Sequence, residues 1–135
     1  MSLRPFKSLC LIIITATLLA GCAKVPIANL FLAGDKDVHY NDTKSCVPLR
    51  LRRVINHTSR KFGKVYVNST KREKGENRRK GGAKNSYHLR CQAVDFSVKG
   101  DRKKITEFLK NHKGVGGYSS YANHYHIDTG PRRTW

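Results

Sequence analysis

Chemistry-bearing residues gather in two stretches of this sequence: His88, Cys91 and Asp95 in the first, His124, His126 and Asp128 in the second. Side chains alternate faces along an extended strand, so His124, His126 and Asp128 share one side while Tyr125 and Ile127 take the other. Two imidazoles on one face suit a divalent metal, or one metal ligand beside one proton-transfer group. Together with His88 and Asp95, His126 makes a set of two nitrogens and one carboxylate. That is the complement of a catalytic zinc, which keeps a further position for water. Such a metal lowers the pKa of its water toward about 7 and supplies a nucleophile at neutral pH. The same residues scattered over a basic surface would do no chemistry, and spacing alone leaves both readings open.

The elements that position these residues have to fit in a short chain. Of the 135 residues, the first 21 read as an export signal: Arg4 and Lys7 precede the uncharged 13-residue run LCLIIITATLLAG, Leu9 to Gly21. That run is shorter than the roughly 20 residues a membrane-spanning helix needs. Leu19-Ala20-Gly21-Cys22 resembles the lipobox of bacterial lipoproteins, so Cys22 is the expected lipidated first residue and residues 22–43, which lack a strong period, the expected tether. Residues 44–135 are left as one small domain. An ordinary secretory signal or an uncleaved helical anchor is the alternative. Ala23, where a retention-like aspartate would stand, tilts the expected location of this envelope protein, facing the periplasm, toward the outer membrane.

Charge and cysteine content narrow the setting. The chain has a formal net charge of +18 at pH 7, and +16 once the two basic residues of the signal are removed. This favours polyanions in general. The basic residues are spread from Arg50 to Arg133 with no recognised nucleic-acid motif, so no specific nucleic-acid partner is expected. With Cys10 in the signal and Cys22 assigned to lipid, Cys46 and Cys91 remain. An isolated pair in an oxidising compartment is most simply a disulfide. Closing its loop of about 45 residues restricts the unfolded chain by roughly 4 kcal/mol in the entropic model. The competing assignment makes Cys91 a metal ligand three residues after His88.

Periodicity then places the elements. Val47, Leu51, Val54, Ile55 and Phe62 recur at helical spacing between Pro48 and Gly63. Val65 and Val67 alternate as in a short strand, and the charged, glycine-rich run from Thr70 to Asn85 reads as a mobile loop. Gln92 to Val98 reads as a strand. Asp101 is the expected N-cap of a helix with Ile105, Phe108 and Leu109 on its apolar stripe. Val115 to Tyr118 and His124 to Asp128 read as two more strands. The fold class is α+β, a small antiparallel sheet with two or more helices.

On these elements lies a family resemblance. Ser86-x-His88-x(4)-Ala93-x-Asp95-Phe96, Gly116-Gly117-Tyr118, and His126-Ile127-Asp128-Thr129-Gly130-Pro131-Arg132-Arg133-x-Trp135 resemble the M15 family of zinc D-Ala-D-Ala carboxypeptidases and related peptidoglycan peptidases. Two further blocks, Ser69-Thr70-Lys71-Arg72 and Gly81-Gly82-Ala83, occur in the family's order. The similarity runs from about Cys46 to Trp135 and implies a hedgehog/DD-peptidase-like fold. Carried over, it makes His88, Asp95 and His126 the zinc ligands. Arg72 would hold a substrate carboxylate or the developing oxyanion, a task suited to its fork of donors. His124, the first histidine of the H-x-H version, would transfer a proton or stabilise the oxyanion. Asp128 would orient His126, and Ser86 would cap or brace the ligand loop. Two features depart from the pattern. Many members have glycine where this chain has Cys91, and this chain lacks the carboxylate base of the Glu-x-x-His members.

The resemblance implies a lipid-anchored zinc peptidase hydrolysing D-amino-acid bonds of peptidoglycan stem peptides through metal-activated water, as a carboxypeptidase or an endopeptidase. The alternatives are a non-catalytic peptidoglycan-binding lipoprotein of the same fold and a basic polyanion binder.

Overall fold

Pro48, Leu51, Val54 and Ile55 open the first helix where the apolar period places it. A computed structural model describes residues 37–135. The expected signal, the lipidation site at Cys22 and the tether as far as residue 36 lie outside the described residues. In order, the elements are β1 (Val38–Tyr40), α1 (Leu49–Phe62), β2 (Val65–Ser69), α2 (Lys74–Arg79), a 3-10 turn (Tyr87–Arg90), β3 (Ala93–Val98), α3 (Arg102–Asn111), β4 (Gly117–Ser120), β5 (Tyr125–Asp128) and β6 (Arg133–Thr134). Gly63 ends α1 at φ 93°, a conformation that costs glycine little. Asp101 caps α3, its carboxylate accepting from the Lys103 and Lys104 amides.

The strands form one six-stranded sheet in the order β1-β2-β3-β5-β4-β6. The expected α+β class and antiparallel centre are found, and short parallel strands extend the sheet at both edges: β1 runs parallel to β2 and β6 parallel to β4. Both edge strands are too short, at three and two residues, to show a two-residue period. β1 also lies inside the expected tether, so the folded part begins before residue 44. Just beyond β1, Asp42 accepts from the Thr70 amide at 2.8 Å and ties the segment to the end of β2.

Helices α1 and α3 bury one face of the sheet. Leu51, Val54, Ile55, Ile105 and Leu109 pack with Val65, Val67, Val94, Phe96, Tyr125 and Ile127 in one core, all but Tyr125 fully buried. The alternation of β3 and β5 sends Val94, Phe96, Tyr125 and Ile127 to this core, and therefore Asp95, His126 and Asp128 to the opposite face. A bulge between Val67 and Ser69 shifts the β2 register so that Ser69 lies opposite Asp95. Asp95 pairs with His126 and His126 with Ser119, so a transverse polar row crosses four strands.

The loop expected from Thr70 to Asn85 contains α2. Its one buried residue is polar: the Asn77 side-chain amide donates to Ala83 O at 2.9 Å. A Cβ on Gly82 would lie 2.1 Å from Asn77 Oδ1, so this contact requires glycine there. A helix anchored by an asparagine leaves no apolar period in the sequence. Much of the positive charge acts internally. Arg50 donates to Gly114 O, Arg52 to Val47 O and Ser45 O, Arg102 to Tyr121 O and Ala122 O, and Arg132 to Lys110 O and His112 O.

Candidate metal centre

Ser86, His88 and Cys91 shape the first part of the site. The Ser86 hydroxyl accepts from the His88 amide at 3.3 Å and starts the 3-10 turn, the capping role expected for it. The turn ends at Cys91, whose φ of 54° and ψ of 30° are left-handed. A left-handed non-glycine residue costs roughly 1–2 kcal/mol, a strain that glycine at this position would avoid. Here Cys91 forms the disulfide with Cys46, Cα to Cα 5.9 Å, and so it is not a metal ligand.

The turn delivers His88 to the polar row. His88 Nδ1 donates to Thr70 O at 2.6 Å, which fixes the tautomer and leaves the Nε2 lone pair facing inward. That atom lies 3.1 Å from Asp95 Oδ1 and 3.2 Å from His126 Nδ1, and the last two are 2.8 Å apart. On its far side His126 Nε2 donates to Asp128 Oδ2 at 3.3 Å. All three residues are buried. Lone pairs of a carboxylate and an imidazole therefore face each other in a dry setting, with at most one proton, on His126 Nδ1, to share among three atoms. Such a cluster fits a cation. Ligand atoms about 2.0–2.1 Å from a tetrahedral zinc would lie about 3.3–3.4 Å apart, close to the three edges found.

Outer groups hold these side chains in place. Arg72 donates through Nη2 to Asp95 Oδ2 and through Nε to Ser69 Oγ at 2.9 Å, with its side chain largely buried. Its fork thus reaches the carboxylate of the candidate metal cluster, a contact that the expectation of a substrate or oxyanion clamp did not include. Asp128 is fully buried and takes four further hydrogen bonds: from the Gly117 and Gly130 amides at 2.9 and 2.8 Å, and from Arg133 Nη1 and Nη2 at 3.2 and 2.7 Å. A Cβ on Gly116 would fall 1.9 Å from Gly130 O, so close packing of these strands needs glycine at 116.

Electrostatics follow from these partners. Burial works to raise the Asp95 pKa, but the hydrogen bond from His126 and the neighbouring His88 imidazole outweigh it and hold the carboxyl well below the ordinary range. Asp128 is likewise held low, its bonds to His126 and to the Gly117 and Gly130 amides overcoming desolvation. Burial opposes charge on His126, yet the bonds to Asp128 and Asp95 raise its pKa. A raised pKa means that a proton competes with metal for His126 Nδ1 to higher pH than for a free imidazole. Zinc affinity is therefore expected to fall with decreasing pH already from above the ordinary imidazole value of about 6.5, with proton release on binding that is larger at pH 6 than at pH 8. Calorimetry in buffers of different ionisation enthalpy measures it, and equal release at both pH values would contradict it.

His124 takes a different position. It lines the same cleft, of about 910 Å³, as Ser69, Arg72, His88, Asp95, His126, Tyr121 and Trp135. It lies outside the three-atom cluster, and its Nδ1 is 2.7 Å from Asn123 Oδ1. The carbonyl oxygen of the asparagine fixes a proton on Nδ1 and leaves Nε2 as the basic atom. Desolvation, first, and the nearby His126 and Arg72 charges lower its pKa against the pull of Asp95. Tyr121 and Trp135, 39% and 56% exposed, form an aromatic wall: Trp135 meets His126 edge-on at 5.2 Å, and its Nε1 donates to Tyr121 Oη at 2.7 Å. Sequence reasoning assigned no role to Ser69, Tyr121, Arg133 or Trp135, although Ser69, Arg133 and Trp135 stand inside the motif blocks.

Set beside known proteins, this geometry has a family. The sequence model for Peptidase M15 matches residues 33–128. The chain belongs to the peptidase M15 family. Among curated relatives, the probable peptidoglycan L,D-endopeptidase MepK of Haemophilus influenzae is 45% identical over 60 residues, 42% of this chain and 31% of that protein. The peptidoglycan L,D-endopeptidase MepK of Escherichia coli K12 is 42% identical over 62 residues, 43% of this chain and 33% of that protein. The matched stretch thus spans about a third of the length of these relatives.

Proposed function

We propose that this domain is a zinc-dependent peptidoglycan peptidase that hydrolyses peptide bonds at D-amino acids in stem peptides. The observation that carries this reading is the buried triangle of His88 Nε2, Asp95 Oδ1 and His126 Nδ1 at 2.8–3.2 Å. Membership in a peptidase family supports hydrolysis, and the similarity to MepK L,D-endopeptidases favours an endopeptidase over a carboxypeptidase.

His88, Asp95 and His126 would hold the metal. When bound, zinc supplies Lewis acidity toward a peptide carbonyl and acidifies water at its open position. The chain's own groups do the rest. Thr70 O and Asp128 keep protons on the outer nitrogens of His88 and His126, so the inner nitrogens stay available. Arg72 orients Asp95 and lines the cleft, where its fork would stabilise negative charge developing on a substrate carbonyl. His124 Nε2 can take a proton from the attacking water and return it to the leaving amine. Tyr121 and Trp135 limit the access of bulk water on one side of the cleft.

Incubation of purified muropeptides with the protein, read by mass spectrometry, tests the reading. Loss of cross-linked dimers without release of single D-alanine residues identifies an endopeptidase, and release of D-alanine a carboxypeptidase. No product from any stem peptide leaves the non-catalytic peptidoglycan-binding lipoprotein in its place.

The same proposal places the protein in the bacterial cell envelope, held to a membrane through lipid on Cys22. Its support is the leader read from the sequence; among the described residues no helix is long and apolar enough to cross a membrane. Incorporation of labelled fatty acid that disappears in Cys22→Ser tests the anchor, and an unlabelled wild type contradicts it.

A further inference from the structure

We propose that Arg102, outside the cleft, is a positioning residue that fixes the β4–β5 turn and through it His124 and Tyr121. This inference rests on the peptidase reading of the cleft. Arg102 is the first residue of α3, anchored by the Asp101 cap. Its Nη1 donates to Ser120 Oγ at 3.0 Å and to Tyr121 O, and its Nη2 to Ala122 O at 2.6 Å. The guanidinium carbon also sits 5.5 Å from the centre of the Tyr125 ring. One planar fork thus holds two successive carbonyls and the preceding hydroxyl, a geometry that an ammonium cannot reproduce.

The turn has little else to fix it. Ser120, Tyr121, Ala122 and Asn123 are exposed, so no apolar side chain anchors the loop in the core. One backbone bond, Tyr121 N to His124 O at 2.9 Å, closes it. The other face of this turn carries cleft residues. The Tyr121 and His124 rings stack at 4.6 Å with their planes 19° apart, His124 Nδ1 meets Asn123 Oδ1, and Tyr121 Oη receives the Trp135 indole N–H. A shift of the clamped carbonyls therefore moves the imidazole and the aromatic wall together. A displacement of about 1 Å in a positioned group can cost on the order of 10²-fold in rate.

The test uses the full chain, with cross-linked muropeptide dimers as substrate and the fluorescence of Trp135, the chain's single tryptophan, as a second readout. Arg102→Ala is expected to keep its zinc, to lose about 10- to 100-fold in kcat with a smaller change in KM, and to show red-shifted, more readily quenched Trp135 emission. Arg102→Lys should recover part of the loss. In a His124→Ala background the same substitution should cost less than about 2-fold, because the group it positions is gone. Arg50→Ala, which removes a comparable clamp on the Gly114 carbonyl away from the cleft, serves as the stability-matched control and should keep wild-type kcat. Wild-type kcat and emission in Arg102→Ala, or a loss that multiplies in full on top of His124→Ala, would overturn the proposal. If the wild type itself releases no product, the peptidase reading fails, and unchanged Trp135 emission in Arg102→Ala still overturns the clamp.

Discussion

Replacing His126 by alanine is expected to empty the metal centre, lowering zinc affinity by two to three powers of ten and peptidase activity to background. Structural zinc sites bind with about 10–16 kcal/mol, or about 2.5–4 kcal/mol for each of four ligands, which is the size of that loss. His126 also separates two buried carboxylates, Asp95 at 2.8 Å and Asp128 at 3.3 Å. Its removal leaves Asp95 with Arg72, and Asp128 with Arg133 and two amides, so both keep charged or hydrogen-bonded partners. The domain should therefore remain folded while losing metal. Zinc content after gel filtration, with circular dichroism alongside, checks this; a folded His126→Ala with wild-type zinc would remove His126 from the ligand set.

The second large effect concerns the disulfide. Cys46 and Cys91 close a separation of 45 residues, and breaking the bond should cost about 4 kcal/mol, a large part of the 5–15 kcal/mol by which small domains are stable. Cys91 bears a further cost in its left-handed conformation, which glycine would relieve. Cys46→Ala/Cys91→Ala should therefore be less stable than Cys46→Ala/Cys91→Gly by about 1 kcal/mol, both far below the oxidised wild type. Since Cys91 N donates to His88 O at the exit of the ligand turn, zinc affinity should fall with stability. Urea unfolding with and without reductant measures the difference. A loss below about 1 kcal/mol on reduction would mean that close packing, and not the cross-link, holds the turn.

How much of this was legible beforehand depends on the kind of signal each element left. Helices α1 and α3 and strands β3 and β5 follow from apolar period, because each buries one side against the common core. The separation of Tyr125 and Ile127 from His126 and Asp128 follows from the two-residue period of a strand. By contrast, β1 and β6 are too short to leave a two-residue period, and α2 is anchored by the Asn77 side chain, which leaves no apolar pattern. The ligand set could be listed from residue types and a family pattern, but its closeness depends on the register Asp95 to His126 and on the bulge before Ser69, which only three dimensions supply. Arg72 had a role carried over from the family resemblance and suited to its fork of donors. Its reach to Asp95 Oδ2 depends on the Ser69 hydroxyl and on its own amide bond to His88 O at 3.0 Å, contacts between segments that no local spacing records.

The central claim is that His88, Asp95 and His126 hold the zinc that makes this cleft a peptidase. Its most direct measurement is cleavage of cross-linked muropeptide dimers by chelator-stripped protein titrated back with zinc. Activity is predicted to be absent at the start and to rise linearly to a plateau at one zinc per chain. Cleavage that survives complete stripping, or a protein that takes up one zinc and still cuts nothing, would contradict the account.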